Sequence, residues 1–385
     1  MLLNLAGNVR PLSAVTPEPF VVRVTDEPDL PLGERSRSAL LTSPVVDAPA
    51  GFRAYFQQDE RQPAHRDAFL LASDLSYLAP GDVVQVDPLR RKLRTLYRRH
   101  SSSNSLLVTE RCDNFCVMCS QPPKTADDSW LIDELLEAIP LFSPDTSSLG
   151  ITGGEPGLLG DRLAQLLAVL RDCLPRTALH LLTNGRAFAS VDFAKQMAAL
   201  KHPDLLVAIP LYSDIAQEHD FVVQARGAFD ETVRGILNLK QQGIRIEIRV
   251  VIHSQTIGRL PELSAFIARN LTFADHVALM GLELMGFAKT NLEALWVDPV
   301  DYQETLDRAV RILARARVPL SVYNHQLCVV TPFVRQFACK SISDWKNMYA
   351  PECTGCAKRE ECGGFFASST LRKSRAVRAM STETV

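Results

Sequence analysis

Neither an excess of one charge nor a long apolar run is found in this chain. Across 385 residues, 42 Lys and Arg stand against 44 Asp and Glu, a formal net charge of -2. Nothing in that balance points to a nucleic-acid or membrane-surface partner. No apolar stretch approaches bilayer-spanning length. The opening Met1-Leu-Leu-Asn-Leu-Ala is too short for the centre of a secretory signal and is soon broken by Arg10 and Pro11. A cytoplasmic location is expected. Nine cysteines in such a chain point to a reducing compartment and metal ligation, not to disulfides.

Eight of the nine cysteines fall at 112–119 and 328–362. Cys173, alone in a helical stretch, reads as an inert core thiol. Cys112, Cys116 and Cys119 are spaced CxxxCxxC. Three thiolates on one short loop can hold three irons of a four-iron cluster and leave the fourth open to a small molecule. Structural zinc is the alternative, although zinc prefers CxxC pairs and a closed shell of four ligands. A buried strand, Leu106-Leu-Val-Thr-Glu, runs straight into the loop. A second strand ends in Ile151-Thr-Gly-Gly-Glu-Pro and a third in Leu181-Leu-Thr-Asn-Gly.

From about 104 to 323 strands alternate with helices, with strands expected at 106–110, 148–152, 178–183, 205–211, 244–252, 276–284 and 318–323. This alternation predicts an α/β fold with a parallel sheet wrapped by helices. Six or so units predict a partial (β/α)6 TIM-like barrel with its function at the C-terminal strand ends. In 244–252, Ile244, Ile246, Ile248, Val250 and Ile252 alternate with Arg245, Glu247 and Arg249. Helices over the apolar face would leave the charged face lining an open, wet interior, because unpaired buried charges are costly. The alternative is an edge strand with a solvated face. Glu283 is expected to face the same interior or to form a salt bridge.

Residues 1–103 read as a small β-rich accessory domain after a partly extended lead, with seven prolines before residue 52. Its basic run (Arg90, Arg91, Lys92, Arg94, Arg98, Arg99) reads as a solvated face rather than a docking surface for an acidic peptide. Residues 104–323 form the barrel, 324–370 a cysteine-rich extension and 371–385 a disordered tail.

The three strand ends together resemble the cluster loop, the Gly-Gly-Glu motif and the Thr-Asn-Gly segment of the radical S-adenosylmethionine (SAM) enzymes. The resemblance implies a [4Fe-4S] cluster on Cys112, Cys116 and Cys119 whose open iron binds the amino and carboxylate groups of SAM. One-electron reduction then yields methionine and a 5′-deoxyadenosyl radical that abstracts hydrogen. It assigns Gly153, Gly154 and Glu155 to the SAM ammonium, and Thr183 and Asn184 to the wall around methionine and ribose. Ser213 resembles a polar residue at the next strand end, and Arg249 a cation that pairs with the SAM carboxylate. Met118 stands where the family usually places an aromatic against the adenine.

Cys353-Thr-Gly-Cys356, then Cys362, supply a further CxxC and a third thiol. Cys339 is the expected fourth ligand and Cys328 a spare. Four thiolates suit zinc or a closed cluster. The segment resembles the auxiliary-cluster extension of peptide-modifying radical SAM enzymes, which implies one auxiliary [4Fe-4S] cluster. The family's next cysteine falls at Phe366 and is absent.

The loop Cys-Asp-Asn-Phe-Cys-Val-Met-Cys-Ser-Gln-Pro-Pro, with Lys340-Ser-Ile-Ser-Asp-Trp-Lys-Asn-Met-Tyr and Cys362-Gly-Gly-Phe-Phe, resembles the C-type radical SAM maturase of the His-Xaa-Ser repeat peptide system. This implies a ribosomal precursor peptide with those repeats, a second radical SAM subunit and an external electron donor. Two other readings stay open. One is a radical SAM enzyme acting on a small molecule or cofactor precursor, the other a non-catalytic iron–sulfur partner subunit of a peptide maturase.

Overall fold

A computed structural model describes residues 5–42, 48–60, 65–340 and 348–381. The chain forms two compact units. One comprises residues up to 106 with 129–149 and 165–177; the other comprises 107–128, 150–164 and 178 onward.

In the first unit, strands Ala6–Pro11 (β1), Phe20–Thr25 (β2), Ser38–Leu41 (β3), Ala54–Gln57 (β4), Ala68–Leu71 (β5), Val83–Asp87 (β6) and Lys92–Tyr97 (β7) form a closed barrel. The order is β1-β5-β4-β3-β2-β6-β7, and β1 pairs with β7 to complete the circle. Closure leaves no exposed sheet edge. Val22, Val24, Phe56, Phe69, Val84, Val86 and Leu93 pack into one core, as period-two alternation requires. The supposed lead therefore carries a barrel strand, β1. Much of the basic run is engaged locally. Arg94 pairs with Glu134 at 2.5 Å and Arg99 with Asp145 at 3.2 Å, while the Arg98 guanidinium lies over the Tyr77 ring.

Strands Asn104–Leu107 (β8), Ser148–Thr152 (β9), Ala178–Leu182 (β10), Leu205–Pro210 (β11), Arg245–Ile252 (β12), His276–Gly281 (β13), Leu320–Tyr323 (β14) and Ala338–Cys339 (β15) form an eight-stranded sheet in chain order. From β10 to β15 neighbours pair in parallel. Helices such as Ala228–Gln241, Leu260–Asn270 and Gln303–Arg315 make the crossovers. The result is the α/β partial barrel that the strand–helix alternation predicts.

β12 is hydrogen-bonded on both sides, so it is not an edge strand. Ile246, Ile248, Val250 and Ile252 are buried on one face. On the other face Arg245 is exposed and pairs with Asp204, whereas Glu247 and Arg249 turn to the strands beside them. Glu247 Oε2 meets His276 Nδ1 at 2.8 Å, and His276 Nε2 meets Ser321 Oγ at 3.0 Å. Burial works to raise the Glu247 carboxyl, but the His276 hydrogen bond and the Arg249 charge outweigh it and hold it below the usual range. The charged face is thus a paired polar network across β12, β13 and β14. Glu283 lies beyond the end of β13.

The tail departs from its expected disorder over residues 371–381. Arg372 pairs with Glu293 at 2.6 Å, Lys373 with Glu352 at 2.5 Å, and Arg375 with Asp298 at 3.1 Å; Met380 is buried. Arginine–carboxylate geometry makes up for the apolar content the segment lacks. Most of Lys340-Ser-Ile-Ser-Asp-Trp-Lys-Asn-Met-Tyr lies outside the described residues. Among the described residues no helix is long and apolar enough to cross a membrane.

Candidate functional site

The exit of β8 is fixed by Asp128. Its buried carboxylate accepts from Thr109 Oγ1 at 2.9 Å, from Arg111 Nε at 3.1 Å and from the Glu110 N–H. Burial alone would raise this carboxyl, yet those donors hold it below the ordinary carboxylate range. The chain then enters the cysteine loop with its direction set.

The Gly-Gly-Glu turn packs directly on that exit. Gly154 N donates to Thr109 O at 2.8 Å and Glu155 N to Arg111 O at 2.7 Å. A Cβ at Gly153 would lie 2.5 Å from Thr109 O, and one at Gly154 only 2.1 Å from Arg111 O. Glycine is required here by close backbone approach.

Glu155 is 1% exposed and reaches the end of β10. Its Oε1 accepts from Gly157 N at 2.6 Å and Thr183 Oγ1 at 2.5 Å; Oε2 accepts from Asn184 N at 2.5 Å. Burial pushes the carboxyl up to about 7 despite these donors. Asn184 Nδ2 in turn donates to Asp113 Oδ1 at 2.6 Å. Arg186 donates to Asp113 O at 2.9 Å and Asn114 Oδ1 at 2.8 Å, and its Nε to Glu231 Oε2 at 2.6 Å.

The far side of the loop is held as closely. Phe115 N and Val117 N donate to Val223 O and Val222 O, each at 3.0 Å. Asn291 Nδ2 donates to Val117 O at 2.8 Å, and Phe287 N to Cys119 O at 2.8 Å. Gly286 takes φ +52°, where a Cβ would sit 2.5 Å from both Cys119 O and Ser120 O. Met118 is buried with Tyr212, Val222, Val223, Ala228 and Ala288, so it packs in an apolar cluster.

All three loop cysteines carry free thiols. Cys112 Sγ accepts from Asn114 N at 3.4 Å, and Cys119 Sγ donates to Gln121 O at 2.9 Å. Burial pushes Cys112 and Cys116 up to about 12; Cys119 adds to the rise in both, and Glu155 and Asp113 to that of Cys112. Among the described residues, no three His, Cys, Asp or Glu side chains gather tightly enough to hold a single metal ion. The donor chemistry nevertheless suits a cationic cluster. Three neighbouring thiols that repel one another as thiolates are the ligands that iron would neutralise.

The other expected contacts are held by local partners. Ser213 is buried, donates to Glu218 Oε2 at 2.7 Å and accepts from Ile215 N at 3.1 Å, so its hydroxyl is committed locally. Arg249 meets Glu247 Oε1 at 3.4 Å and Met280 Sδ at 3.2 Å. Buried Tyr212 connects the two regions. Burial raises its phenol well above the ordinary value, Cys116 adds to the rise, and Arg249 opposes it. Sequence reasoning missed Asp128, Arg186, Tyr212 and Gly286. Of these only Arg186 carried a signal, following Thr-Asn-Gly directly.

The second cysteine group needs one correction. Cys328, Cys353, Cys356 and Cys362 line one cavity of about 20 Å³ together with Tyr349 and Met380. Cys339 is elsewhere: it ends β15, is exposed and sets its Sγ 3.7 Å from Phe337 O. β14 pairing draws Cys339 into the sheet, whereas the turn after that strand carries Cys328 to the pocket.

Residues 106–267 match the family model of the Radical SAM superfamily. The Fe-coproporphyrin III synthase of Methanosarcina barkeri is 27% identical over 200 residues, 48% of this chain and 46% of that one. This chain therefore spans less than half the length of that curated relative. Among solved structures, native anSMEcpe with bound AdoMet shares 15% identity at a TM-score of 0.50, over 71% of this chain and 92% of that one. Streptococcus suis SuiB bound to S-adenosylmethionine shares 15% at 0.44, over 59% and 51%. The likeness to anSMEcpe concerns the fold. The family match covers less than half of this chain, and the matched residues carry the three-thiol loop and its Gly-Gly-Glu turn.

Proposed function

We propose that this chain is a radical SAM enzyme that modifies a ribosomally made peptide carrying His-Xaa-Ser repeats. The observation that carries the chemistry is the locking of Cys112, Cys116 and Cys119 to the Gly-Gly-Glu turn and the Thr-Asn-Gly segment. The substrate reading rests on the resemblance of the loop and the C-terminal cysteine segment to the maturases of that peptide system. The pocket of Cys328, Cys353, Cys356 and Cys362 supports it as the site of an auxiliary cluster.

When bound, the loop's [4Fe-4S] cluster and SAM supply reductive cleavage to a 5′-deoxyadenosyl radical. Cys112, Cys116 and Cys119 would hold three irons, as thiolates. Gly153 and Gly154 bring backbone to the SAM ammonium. Glu155, already fixed by three donors, presents negative potential there without needing to reorient. Thr183 and Asn184 would wall the methionine and ribose, and Met118 would back the adenine from its apolar cluster. Arg249 offers its guanidinium to the SAM carboxylate from a place held by Glu247. Ser213 keeps the β11 exit in shape through Glu218. Burial of Tyr212 and Met118 excludes water from the loop's inner side.

A second radical SAM subunit and an external electron donor complete the proposed system, in the cytoplasm. A second reading, action on a cofactor precursor, is favoured by the similarity to Fe-coproporphyrin III synthase. Co-expression with a His-Xaa-Ser precursor, followed by peptide mass spectrometry, separates the two. A hydrogen-loss mass shift confined to the repeats supports the peptide reading. An unmodified peptide, in the presence of the second subunit and active SAM cleavage, overturns it.

A further inference from the structure

The segment after Lys373 has no role in the chemistry above, yet it is anchored to the second unit by named contacts. Arg375 N donates to Asp298 Oδ2 at 3.0 Å, and Arg375 Nη1 reaches Asp298 Oδ2 at 3.1 Å and Asp301 Oδ2 at 2.9 Å. Asp298 is only 4% exposed, so the anchor is set into the fold. From there the chain runs across the four-cysteine pocket. Arg378 and Met380 line it. Met380 N donates to Cys356 Sγ at 3.4 Å. Met380 O accepts from Ala357 N at 2.9 Å, so the segment is stitched to the CxxC turn on both its donor and its acceptor side. The Met380 side chain is buried.

Hydrogen bonds to ligand sulfur and exclusion of solvent are two means by which a protein governs a thiolate-bound metal. We propose that residues 374–381 are a cap on the second cysteine site, giving the Met380 backbone N–H to the sulfur of Cys356 and covering the bound metal with Met380. The proposal rests on the reading of Cys328, Cys353, Cys356 and Cys362 as a metal site. It adds that the tail controls how firmly the metal is kept. The Arg375 anchor to Asp298 and Asp301 is the latch.

The test uses the full chain with Cys112, Cys116 and Cys119 all changed to Ala, so that only the second site is loaded, with iron and sulfide or with zinc. Metal release to an excess of chelator is followed by absorbance. Termination after Lys373 is compared with Arg375→Glu, which repels the anchor from outside the pocket. Met380→Pro removes one N–H, and Met380→Ala keeps it. Release is expected to accelerate about ten-fold or more in the first three and less in Met380→Ala. Equal release rates in parent and variants would overturn the cap while leaving the metal site standing. A parent that binds neither iron–sulfur nor zinc would overturn both. The three detaching variants differ in folding risk, so poor recovery of the truncated chain leaves Arg375→Glu and Met380→Pro to decide.

Discussion

Thr183 Oγ1 stands 2.5 Å from Glu155 Oε1 and donates to it, joining the end of β10 to the Gly-Gly-Glu turn. Neither side chain has solvent to fall back on, since Thr183 is 5% and Glu155 1% exposed. Thr183→Val keeps the shape and removes the donor. The expected cost is about 1–3 kcal/mol, the penalty of stripping a buried acceptor of a partner. Urea unfolding of the metal-free protein measures it. A loss below a few tenths would show that Gly157 and Asn184 suffice.

Gly154→Ala should be far worse than its single methyl suggests. The new Cβ meets Arg111 O at 2.1 Å, which is backbone and cannot swing away. Gly258→Ala is the control, because nothing lies within 4 Å of its Cβ and its φ of -60° suits alanine. Gly154→Ala is expected to fold poorly and to lose iron at the loop. Gly258→Ala should match the parent or gain about 0.4–1 kcal/mol. Comparable iron content in the two variants would refute the close-approach explanation.

Stability of the metal-free chain should fall as the solution is made acid. His219, His253 and His325 are buried, and burial lowers each from 6.5 to about 4. The unfolded chain therefore takes up these protons first. Their contribution is complete above 6.5 and is lost as pH falls toward 4, up to roughly 3 kcal/mol each. Glu155 runs the other way. Its folded value is raised from 4.5 to about 7, so its contribution is present below 4.5 and lost as pH rises through 7. Three groups oppose one between 4.5 and 6.5. Urea midpoints at pH 7.5 and 5.0 should show lower stability at 5.0, and His253→Asn, which retains an acceptor for Gln255 N, should lessen the drop. Equal or higher stability at pH 5.0 contradicts this.

Strand positions and the barrel were legible in the sequence because β9 to β14 bury one whole face. Val207, Ile248, Val250, Leu279 and Val322 mark that face whatever the loops do. The cysteine loop, Gly-Gly-Glu and Thr-Asn-Gly were legible because they sit at consecutive strand ends. Cys328 was not, since its partnership with Cys353 and Cys362 depends on a turn bringing residues 25 or more apart in sequence to one cavity. The ordered tail was hidden for a related reason. Arg372, Lys373 and Arg375 look solvated until their acidic partners at Glu293, Glu352 and Asp298 are placed beside them. Composition alone does not reveal such pairings.

Cys328 and Cys339 can be told apart by metal counting. After anaerobic reconstitution, Cys328→Ala should hold about four irons fewer than the parent, or one zinc fewer if the site takes zinc. Cys339→Ala should keep the parent's count, because its thiol is exposed on β15 away from the pocket. The reverse pattern would restore Cys339 as a ligand.

SAM cleavage itself is the most direct measurement. Reconstituted protein is mixed with SAM and dithionite without oxygen, and 5′-deoxyadenosine is quantified by liquid chromatography and mass spectrometry. The parent is expected to form it, and the chain with Cys112, Cys116 and Cys119 all changed to Ala to form none. An iron-replete parent that makes no 5′-deoxyadenosine, or a triple variant that makes as much, would contradict the assignment of this loop as the radical SAM centre.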